Sequence, residues 1–598
     1  MDTPKATEFP SGLDETTEQD YASQSNLLLE FVPIPSIDAA CLLKSPRSDS
    51  ESQAMFAVSQ PNLVANKKRK FILSSTILNN ATSPAFYWSP FPVEMSGVAA
   101  MVPSPSASKL LIIRNSDNNE GPSRFEIWTS SQLQREFQIP QSVHGCVYTD
   151  GWFEGISWNS DETRVAYVAE EPAPAKPTFN DQGYKKGGAS NDKDCATWKG
   201  QGEWEEDWGE TYAGKRQPAL FVIDITSGDV QAVKGIDKSL SVGQVVWAPS
   251  TEEGSEKYLV FVGWSFETRK LGIKYCYNRP CALYAVKAPH HHSKASEAKT
   301  RSTEDVQALK LTKTISSAFF PRFSPDGKFL VFLSARSSVD SGAHSATNSL
   351  HRLDWTSNMK QYESAKVYDV IPVVMCADDG CFPGLYCFSM LRDPWLSDGY
   401  TMIIQSIWHS NQVLISVNVL SGEILRITPA DSNFSWSLLS LDGKNILAVS
   451  SSPVDIPQLK YGTLVEKEKK TGNNEWSWLD VSNPIFKCSD KVTSLLSSLE
   501  FSIMKIPVKD GFESLTKDTS FYNWYESTIQ GALWMVSTTR AAAVMEARMD
   551  AMEKQIAELR AEFKADNQEM MRQIQVAMAE KLDMVVVALK EEALTWFE

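Results

Sequence analysis

From about Leu27 to Ile506, apolar stretches of four to six residues alternate with Ser, Pro, Asp and Gly. That is the texture of short strands joined by turns, not of helices. One unit recurs. At Phe323-Ser-Pro-Asp326-Gly327 an aromatic residue precedes a turn, and the apolar run Phe329–Leu333 follows. Trp395-Leu-Ser-Asp398-Gly399 leads to Thr401–Ile404, and Leu439-Ser-Leu-Asp442-Gly443 leads to Ile446–Val449. Trp158-Asn-Ser-Asp161 keeps the pattern but has Glu162 where the others have Gly, before Val165–Val168. Trp247-Ala-Pro-Ser250 reaches its strand at Tyr258–Val262 after an insertion, and Pro103-Ser-Pro-Ser106 precedes Leu110–Ile113.

The unit has a physical reading. Pro presets φ for a first turn position, Asp hydrogen-bonds within the turn, and Gly takes positive φ. The apolar residue three before the Asp is expected to plug its sheet from above. The β-branched and aromatic run that follows suits a buried strand. Six copies, each followed by a strand, predict one copy per four-stranded blade of a β-propeller of about seven blades. Unrelated hairpins are the competing reading. Leu27–Phe91 is expected to supply a seventh blade or to close the ring with a late strand.

The ends and two insertions depart from this texture. Residues 1–25 are polar and read as a flexible tail, and 26–507 as the propeller domain. Insertions are expected at 170–217 and 289–304. Residues 508–540 read as a linker. In 541–598, Met545, Met549, Met552, Ile556, Leu559 and Phe563 step by a heptad seam, which resumes at Met570, Ile574, Met578, Leu582 and Leu589 after Asp566. A helical, coiled-coil-like tail is expected, with a stutter. A single amphipathic helix is the alternative. Together these give an all-β propeller followed by an α-helical tail.

Composition narrows the function. Lys and Arg number 58 against 74 Asp and Glu, a net charge of −16 with a pI near 5.1. That argues against nucleic acid or an anionic membrane as partner. No apolar run approaches a membrane span, and the N-terminus has neither a signal-peptide core nor an Arg-rich transit pattern. The nine cysteines are scattered, with no C-x-x-C. Reduced thiols and a cytoplasmic location are expected.

Candidate chemistry is sparse. Glu203, Glu205, Glu206, Asp207 and Glu210 surround Trp204 and Trp208, and read either as an acidic lip or as a solvated loop anchored by two tryptophans. Asp161, Asp326, Asp398 and Asp442 imitate a repeated metal set, but each sits where a turn favours Asp. Arg279 lies between Cys276 and Cys281 and could lower a thiol pKa; with no paired His, a buried structural role is the expectation. Lys67-Lys-Arg-Lys70 runs straight into Phe71 and reads as an exposed strand edge. His290-His291-His292 reads as a solvated loop. No catalytic, cofactor-binding or metal residue is therefore assigned, and no cofactor is expected.

Three stretches carry a resemblance. They are Gly202-Glu-Trp-Glu-Glu-Asp-Trp-Gly-Glu-Thr-Tyr-Ala-Gly-Lys-Arg-Gln-Pro-Ala-Leu-Phe221, Gly272-Ile-Lys-Tyr-Cys-Tyr-Asn-Arg-Pro-Cys-Ala-Leu-Tyr284, and the run Val147–Ala169. Over about residues 20–517 the chain resembles the N-terminal propeller of plant acylamino-acid-releasing enzyme, an acylaminoacyl-peptidase of the prolyl-oligopeptidase group. The resemblance implies a β-propeller that covers a C-terminal α/β-hydrolase domain. It also implies cytosolic, oligomeric proteins that release N-acylated amino acids from blocked peptides by a serine mechanism. The tail stretch Met545-Glu-Ala-Arg-Met-Asp-Ala-Met-Glu-Lys-Gln-Ile-Ala-Glu-Leu559 resembles the coiled-coil start of a retrotransposon gag-type protein.

The chain departs from that family's catalytic pattern. No G-x-S-x-G nucleophile elbow occurs; Gly155-Ile-Ser157-Trp-Asn159 and Gly263-Trp-Ser265-Phe-Glu267 lack the final Gly. No H-G-G stretch occurs, and no histidine follows His409. The stretch after 508, about 90 residues, is short for an α/β-hydrolase domain. The expectation is a propeller truncated before the catalytic domain and inactive alone. N-acylated peptides are its implied ligands, and a homo-oligomer or coiled-coil self-association its implied assembly. The alternatives are a non-catalytic propeller and coiled-coil interaction protein, or a gene-model fusion.

Overall fold

The structure is a computed structural model. It describes most of residues 15–501, apart from 45–50, 80–83, 116–120, 173–207, 210–211, 250–256, 266–278, 290–306, 343–345, 357–365, 375–380, 466–474 and single positions at 64, 130, 150, 431 and 500. Residues 1–14 and 502–598 lie outside it, and with them the heptad tail and the linker.

Helix α1 (Glu15–Phe31) precedes the first strand. Seven antiparallel sheets then follow one another along the chain as the blades of a β-propeller. Blade 1 holds β1 (Ser36–Lys44), β2 (Glu51–Asn62), β3 (Lys67–Asn79), β4 (Pro84–Trp88) and β5 (Val93–Glu94). Blade 2 holds β6 (Val98–Pro103), β7 (Leu110–Arg114), β8 (Ser123–Trp128) and β9 (Leu133–Ile139). Blade 3 holds β10 (Ile156–Trp158), β11 (Arg164–Glu170), β12 (Pro218–Asp224) and β13 (Val230–Ala232). Blade 4 holds β14 (Leu240–Trp247), β15 (Tyr258–Ser265), β16 (Cys281–Lys287) and β17 (Leu309–Lys310). Blade 5 holds β18 (Phe319–Phe323), β19 (Phe329–Ser334), β20 (Ser349–Asp354) and β21 (Val367–Ile371), with the short helix α2 (Arg336–Ser341) between β19 and β20. Blade 6 has three strands, β22 (Thr401–Trp408), β23 (Asn411–Asn418) and β24 (Ile424–Arg426). Blade 7 holds β25 (Ser435–Leu441), β26 (Asn445–Ser452), β27 (Asp455–Val465) and β28 (Glu475–Asp480), and helix α3 (Asp490–Ser497) follows.

Each sheet is a meander drawn from one continuous stretch of chain. Of the two ways to complete the seven, the early segment supplies a whole blade, and among the described residues no late strand joins it. The chain divides into two compact units. One contains residues 97–402 and 417–424, hence blades 2 to 5. The other contains 1–96, 403–416 and 425–598, hence blades 1 and 7 and most of blade 6.

The six recurring turns each join the first strand of a blade, or its remnant, to the next strand. In blade 6 the remnant is a single bridge, Trp395 to Met402, which explains its missing strand. The turn chemistry is as expected. Asp326 Oδ1 accepts from Ser324 Oγ at 2.7 Å and Lys328 N at 3.1 Å, and Asp398 Oδ1 from Tyr400 N at 2.9 Å and Thr401 N at 2.8 Å. Asp442 caps Asn445 N at 2.9 Å. Among the described residues no group of three or more His, Cys, Asp or Glu could hold a metal ion.

Blade 3 solves the turn differently. Asn159 Oδ1, not Asp161, accepts from Thr163 N at 3.0 Å and Arg164 N at 2.9 Å, while Asp161 pairs with Lys257. Glu162 takes the glycine position with φ 53°. Its carboxylate accepts from Ser106 N at 2.5 Å and Ser108 Oγ at 3.2 Å in blade 2, and Lys109 Nζ donates to its carbonyl at 2.9 Å.

Second and third strands are buried on both faces, so β11 and β15 read as near-continuous apolar runs, whereas outer β9 is mostly exposed. The reason is stacking. One core cluster joins Val102, Ile113 and Phe125 of blade 2 to Val165, Tyr167 and Phe221 of blade 3. A second joins Val168 and Leu220 of blade 3 to Trp247 and Phe261 of blade 4. In the other unit, a third joins Phe56 and Ile77 of blade 1 to Leu447 and Tyr461 of blade 7.

Two expectations need correction. At Trp158 and Trp247 the aromatic before the turn reaches the preceding blade instead of plugging its own sheet from above. Trp158 Nε1 donates to Val102 O of the preceding blade at 3.1 Å, and Trp247 Nε1 donates to Ser157 O at 2.9 Å. It seals one blade to the last, because an indole is long enough to cross the gap and has one donor to satisfy. Residues 15–25, expected as a flexible tail, belong to α1, whose Glu30 accepts from Ser489 Oγ at 2.8 Å, the N-cap of α3. Lys67–Lys70 opens β3 and is exposed; it registers with β2 alone, because β5 and β4 pair with β3 only from Phe71 onward, so the basic run lies on an exposed strand edge as expected.

Candidate functional site

In the unit of blades 2 to 5, a cavity of about 290 Å³ lies among Ser157, Val246, Trp247, Arg322, Phe323, Pro325, Arg392, Asp393 and Trp395. Its walls are the first strands of blades 3, 4 and 5 and the segment leading into blade 6. First strands can reach this spot because they are bulged. The register of β14 shifts between Gly243 and Val246, and that of β18 between Phe319 and Arg322. Gln244 and Phe320, both at φ 51°, sit in these bulges. Gln244 Oε1 accepts from Phe320 N at 2.6 Å, and Gln244 N donates to Glu154 O at 2.7 Å. Left-handed backbone at non-glycine residues is costly. Here it is held by these bonds, and the bulge re-aims the residues after it, Arg322 among them.

Arg322 organises the site. Its Nε donates to Leu391 O at 2.6 Å, Nη2 to Met390 O at 2.9 Å and Nη1 to Pro321 O at 2.8 Å. It thereby ties down the segment that carries Arg392, Asp393 and Trp395. All three bonds go to neutral carbonyls. Among the described residues no carboxylate stands within ion-pair distance of Arg322. Burial, and then the like charge of Arg392, push its pKa down to about 10, against the weaker pull of Glu154 and Asp393. Arg392, half exposed, pairs with Glu154 at 3.1 Å. Trp395 is 4% exposed, and its indole N–H has no hydrogen-bond partner among the described residues.

The serine of the near-miss elbow is structural. Ser157 sits in a strand, its Oγ accepts from Trp247 N at 3.3 Å, and its carbonyl accepts the Trp247 indole. Cys281 opens β16, where its sulfur lies 3.4 Å from Ala318 O and accepts from Ala318 N at 3.3 Å. Burial pushes its thiol up to about 11, the reverse of an activated nucleophile. Cys276, Trp204, the five acids at 203, 205, 206, 207 and 210, and the three adjacent histidines lie outside the described residues.

The described end of the long insertion is anchored on blade 3. Trp208 packs on Phe153 at 5.1 Å between ring centroids, and Tyr212 on Phe153 at 4.7 Å. The Tyr212 hydroxyl accepts from Trp152 N at 2.6 Å. Arg216 pairs with buried Glu170 at 3.2 Å. Arg322 and Arg392 were not singled out from the sequence, and Trp395 only as the residue leading a turn unit. The one available signal was Arg322 itself, a cation placed directly before an apolar turn unit in a strand that otherwise lacks charge.

The family model described as the N-terminal domain of acylamino-acid-releasing enzyme matches residues 7–493. The acylamino-acid-releasing enzyme of Arabidopsis thaliana is 57% identical over 516 residues, covering 86% of this chain and 66% of that protein. Acylamino-acid-releasing enzyme 1 of Oryza sativa subsp. japonica is 52% identical over 533 residues, covering 87% and 68%. A solved Pyrococcus horikoshii acylaminoacyl peptidase aligns with 76% of this chain and 53% of its own, at 11% identity and a TM-score of 0.40. The chain spans about two thirds of the length of the plant relatives. With its propeller matched by that domain nearly end to end, the chain belongs to the acylamino-acid-releasing enzyme family and represents its N-terminal portion.

Proposed function

We propose that these 598 residues supply the peptide-admitting propeller of an acylaminoacyl-peptidase and do not hydrolyse peptides by themselves. The observation that carries this is the nucleophile pattern. No G-x-S-x-G or H-G-G occurs in the sequence, and the serine of its nearest approach, Ser157, is pinned in a strand by Trp247. A serine mechanism needs an exposed nucleophile, a base and an oxyanion hole together. N-acylated peptides are the ligand class, by likeness to relatives whose names state release of acylamino acids. The test is incubation of the purified chain with N-acetyl-alanine p-nitroanilide. The expected rate equals the blank; turnover abolished by a serine-directed fluorophosphonate would overturn the reading.

Self-association is a second proposal, carried by the heptad seam from Met545 to Leu589. Light scattering of the chain with and without residues 541–598 checks it, and equal mass per chain in both would remove the role. A reducing, cytoplasmic setting is proposed from the described cysteines, which are all free thiols. Among the described residues no helix is long and apolar enough to cross a membrane.

A further inference from the structure

We propose that the exposed edge of blade 1, around Lys68 and Phe91, seats residues Glu591–Glu598 of the same chain. Three features of the edge point to an acidic, partly apolar strand. The edge is open. Lys70 O accepts from Met95 N at 2.9 Å, so the backbone groups of Lys70 face β5, and those of Lys68, two residues earlier, face the same way past the end of β5. Across β2, Lys68 meets Pro61, which has no N–H to offer it. The edge is also cationic. Lys67, Lys68 and Lys70 are exposed and make no ion pair among the described residues, whereas Arg69 is neutralised by Glu94 at 2.9 Å. And it is apolar beside the charge. Phe91 is 78% exposed and held between Pro90 and Pro92, and Val93 and Tyr87 are 64% and 59% exposed. Val93 lies opposite Ile72 and Tyr87 opposite Thr76, so the period of two puts both on the face of Lys68 and Lys70, away from the core shared with blade 7. Lysines also guard open edges against stray strands, but a guard needs no exposed Phe and Val beside it.

Complementarity selects the occupant. Glu591-Glu-Ala-Leu-Thr-Trp-Phe-Glu598, outside the described residues, has three acids and no base, with Leu594, Trp596 and Phe597 among them. Thr, Trp and Phe favour extended backbone, so the segment can pair with the free groups of Lys68 while its acids meet the lysines and its aromatic residues cover Phe91. It lies beyond Leu589, the last position of the heptad seam, so self-association through the seam leaves it unused. About 90 residues separate it from Ser497 at the end of α3, and at up to ~3.3 Å each they reach far more than the width of a blade. The other acid-rich stretch, residues 203–210, is anchored elsewhere, by Trp208 on Phe153 of blade 3. The same edge of a second copy would set lysine against lysine. Nucleic acid or an anionic membrane would meet a chain of net charge −16.

The function proposed above stands whether or not the edge is occupied. The test uses the full chain, mixed in equal parts from isotopically labelled and unlabelled preparations. A water-soluble carbodiimide then joins amines to carboxylates only where they touch, and peptide mass spectrometry reads the partners. Links from Lys67, Lys68 or Lys70 to Glu591, Glu592 or Glu598 are expected, with both linked peptides carrying the same label. Salt at about 1 M, where the screening length falls to ~3 Å, is expected to cut their yield about three-fold or more. Phe91→Ser removes one exposed ring and keeps every amine and acid. It is expected to lower the yield about five-fold and to melt like wild type. Links from these lysines only to acids outside 591–598 would give the edge another occupant, and links only between differently labelled chains would give it to a second copy. Either result would overturn the proposal, as would the absence of links or an unchanged yield in Phe91→Ser. Should that variant melt early, the salt series keeps the test decisive, because a yield indifferent to salt overturns the proposal as well.

Discussion

Replacing Glu162 by glycine would give blade 3 the Asp-Gly turn of blades 5, 6 and 7, and the structure predicts that it destabilises the protein. Two effects oppose each other. Glu162 holds φ at 53°, where a side chain costs about 1–2 kcal/mol that glycine would release. Its carboxylate, 9% exposed as a residue, accepts from Ser106 N at 2.5 Å and Ser108 Oγ at 3.2 Å. Hydrogen bonds to a charged group contribute roughly 1.5–3 kcal/mol each. Glycine also raises the entropy of the unfolded chain, by about 0.4–1 kcal/mol. The bonds outweigh the strain, and the net loss expected is about 2 kcal/mol, because the freed serine groups regain some hydration. Differential scanning calorimetry of Glu162→Gly against wild type measures it, with a drop in Tm of a few degrees expected, ~2–4 °C per kcal/mol at most for a large domain. The pH dependence is a second signature. Burial alone would raise the Glu162 carboxyl, but the Ser106 amide and the hydroxyls of Ser104, Ser106 and Ser108 outweigh it and hold the group below the ordinary carboxylate value. Its contribution is therefore complete above the unfolded pKa and is lost as pH falls through the folded one. The gap between wild type and variant should close in acid. A Tm equal to or above wild type at pH 7 would show that strain decides, and would refute the reasoning.

Other consequences can be measured separately. Trp158→Phe removes the indole bond to Val102 O and should cost about 1 kcal/mol, while Trp158→Ala also opens the interface between blades 2 and 3 and should cost about 3–5 kcal/mol; urea midpoints compare them. His144 donates Nδ1–H to Gly145 O at 2.7 Å and accepts the buried Tyr167 hydroxyl at 2.9 Å, so His144→Phe strands that hydroxyl and should cost about 1–3 kcal/mol. Burial lowers the His144 pKa from 6.5, so wild type should lose stability as pH falls below about 6.5 towards the folded pKa, and the variant should lose less; melting between pH 7.5 and 5 reads the difference. Burial pushes Cys281 up to about 11 and Cys387 up to about 12, while Cys381 is exposed. Native protein treated with iodoacetamide at pH 8 should be alkylated at Cys381 and spared at the other two, by peptide mass spectrometry.

The blades were legible because their turns are local chemistry. Asp326, Asp398 and Asp442 bond amides two or three residues away, and such geometry is written in consecutive residues. The continuous apolar runs of β11 and β15 announced strands covered on both faces. Less legible was α1, whose polar opening resembles a tail and whose ties to α3 come from residues more than 450 positions away. The role of the turn-leading tryptophans was misjudged for the same reason. The indole of Trp158 finds its acceptor in Val102, on another blade.

What the sequence determined by itself is thus the order of six blade-forming units and the family to which they belong, because turns, alternation and apolar runs act over a few residues, whereas the seventh blade was decided by strand pairing in the fold. The candidate site belonged to the tertiary structure. Ser157, Trp247, Arg322 and Trp395 are separated by some 70 to 90 residues each, and no periodicity links them. They meet because bulges at Gln244 and Phe320 bend first strands of neighbouring blades, and because Arg322 draws Met390 and Leu391 in behind them. Which donor is left without an acceptor depends on every neighbour at once, and only the packed fold decides that.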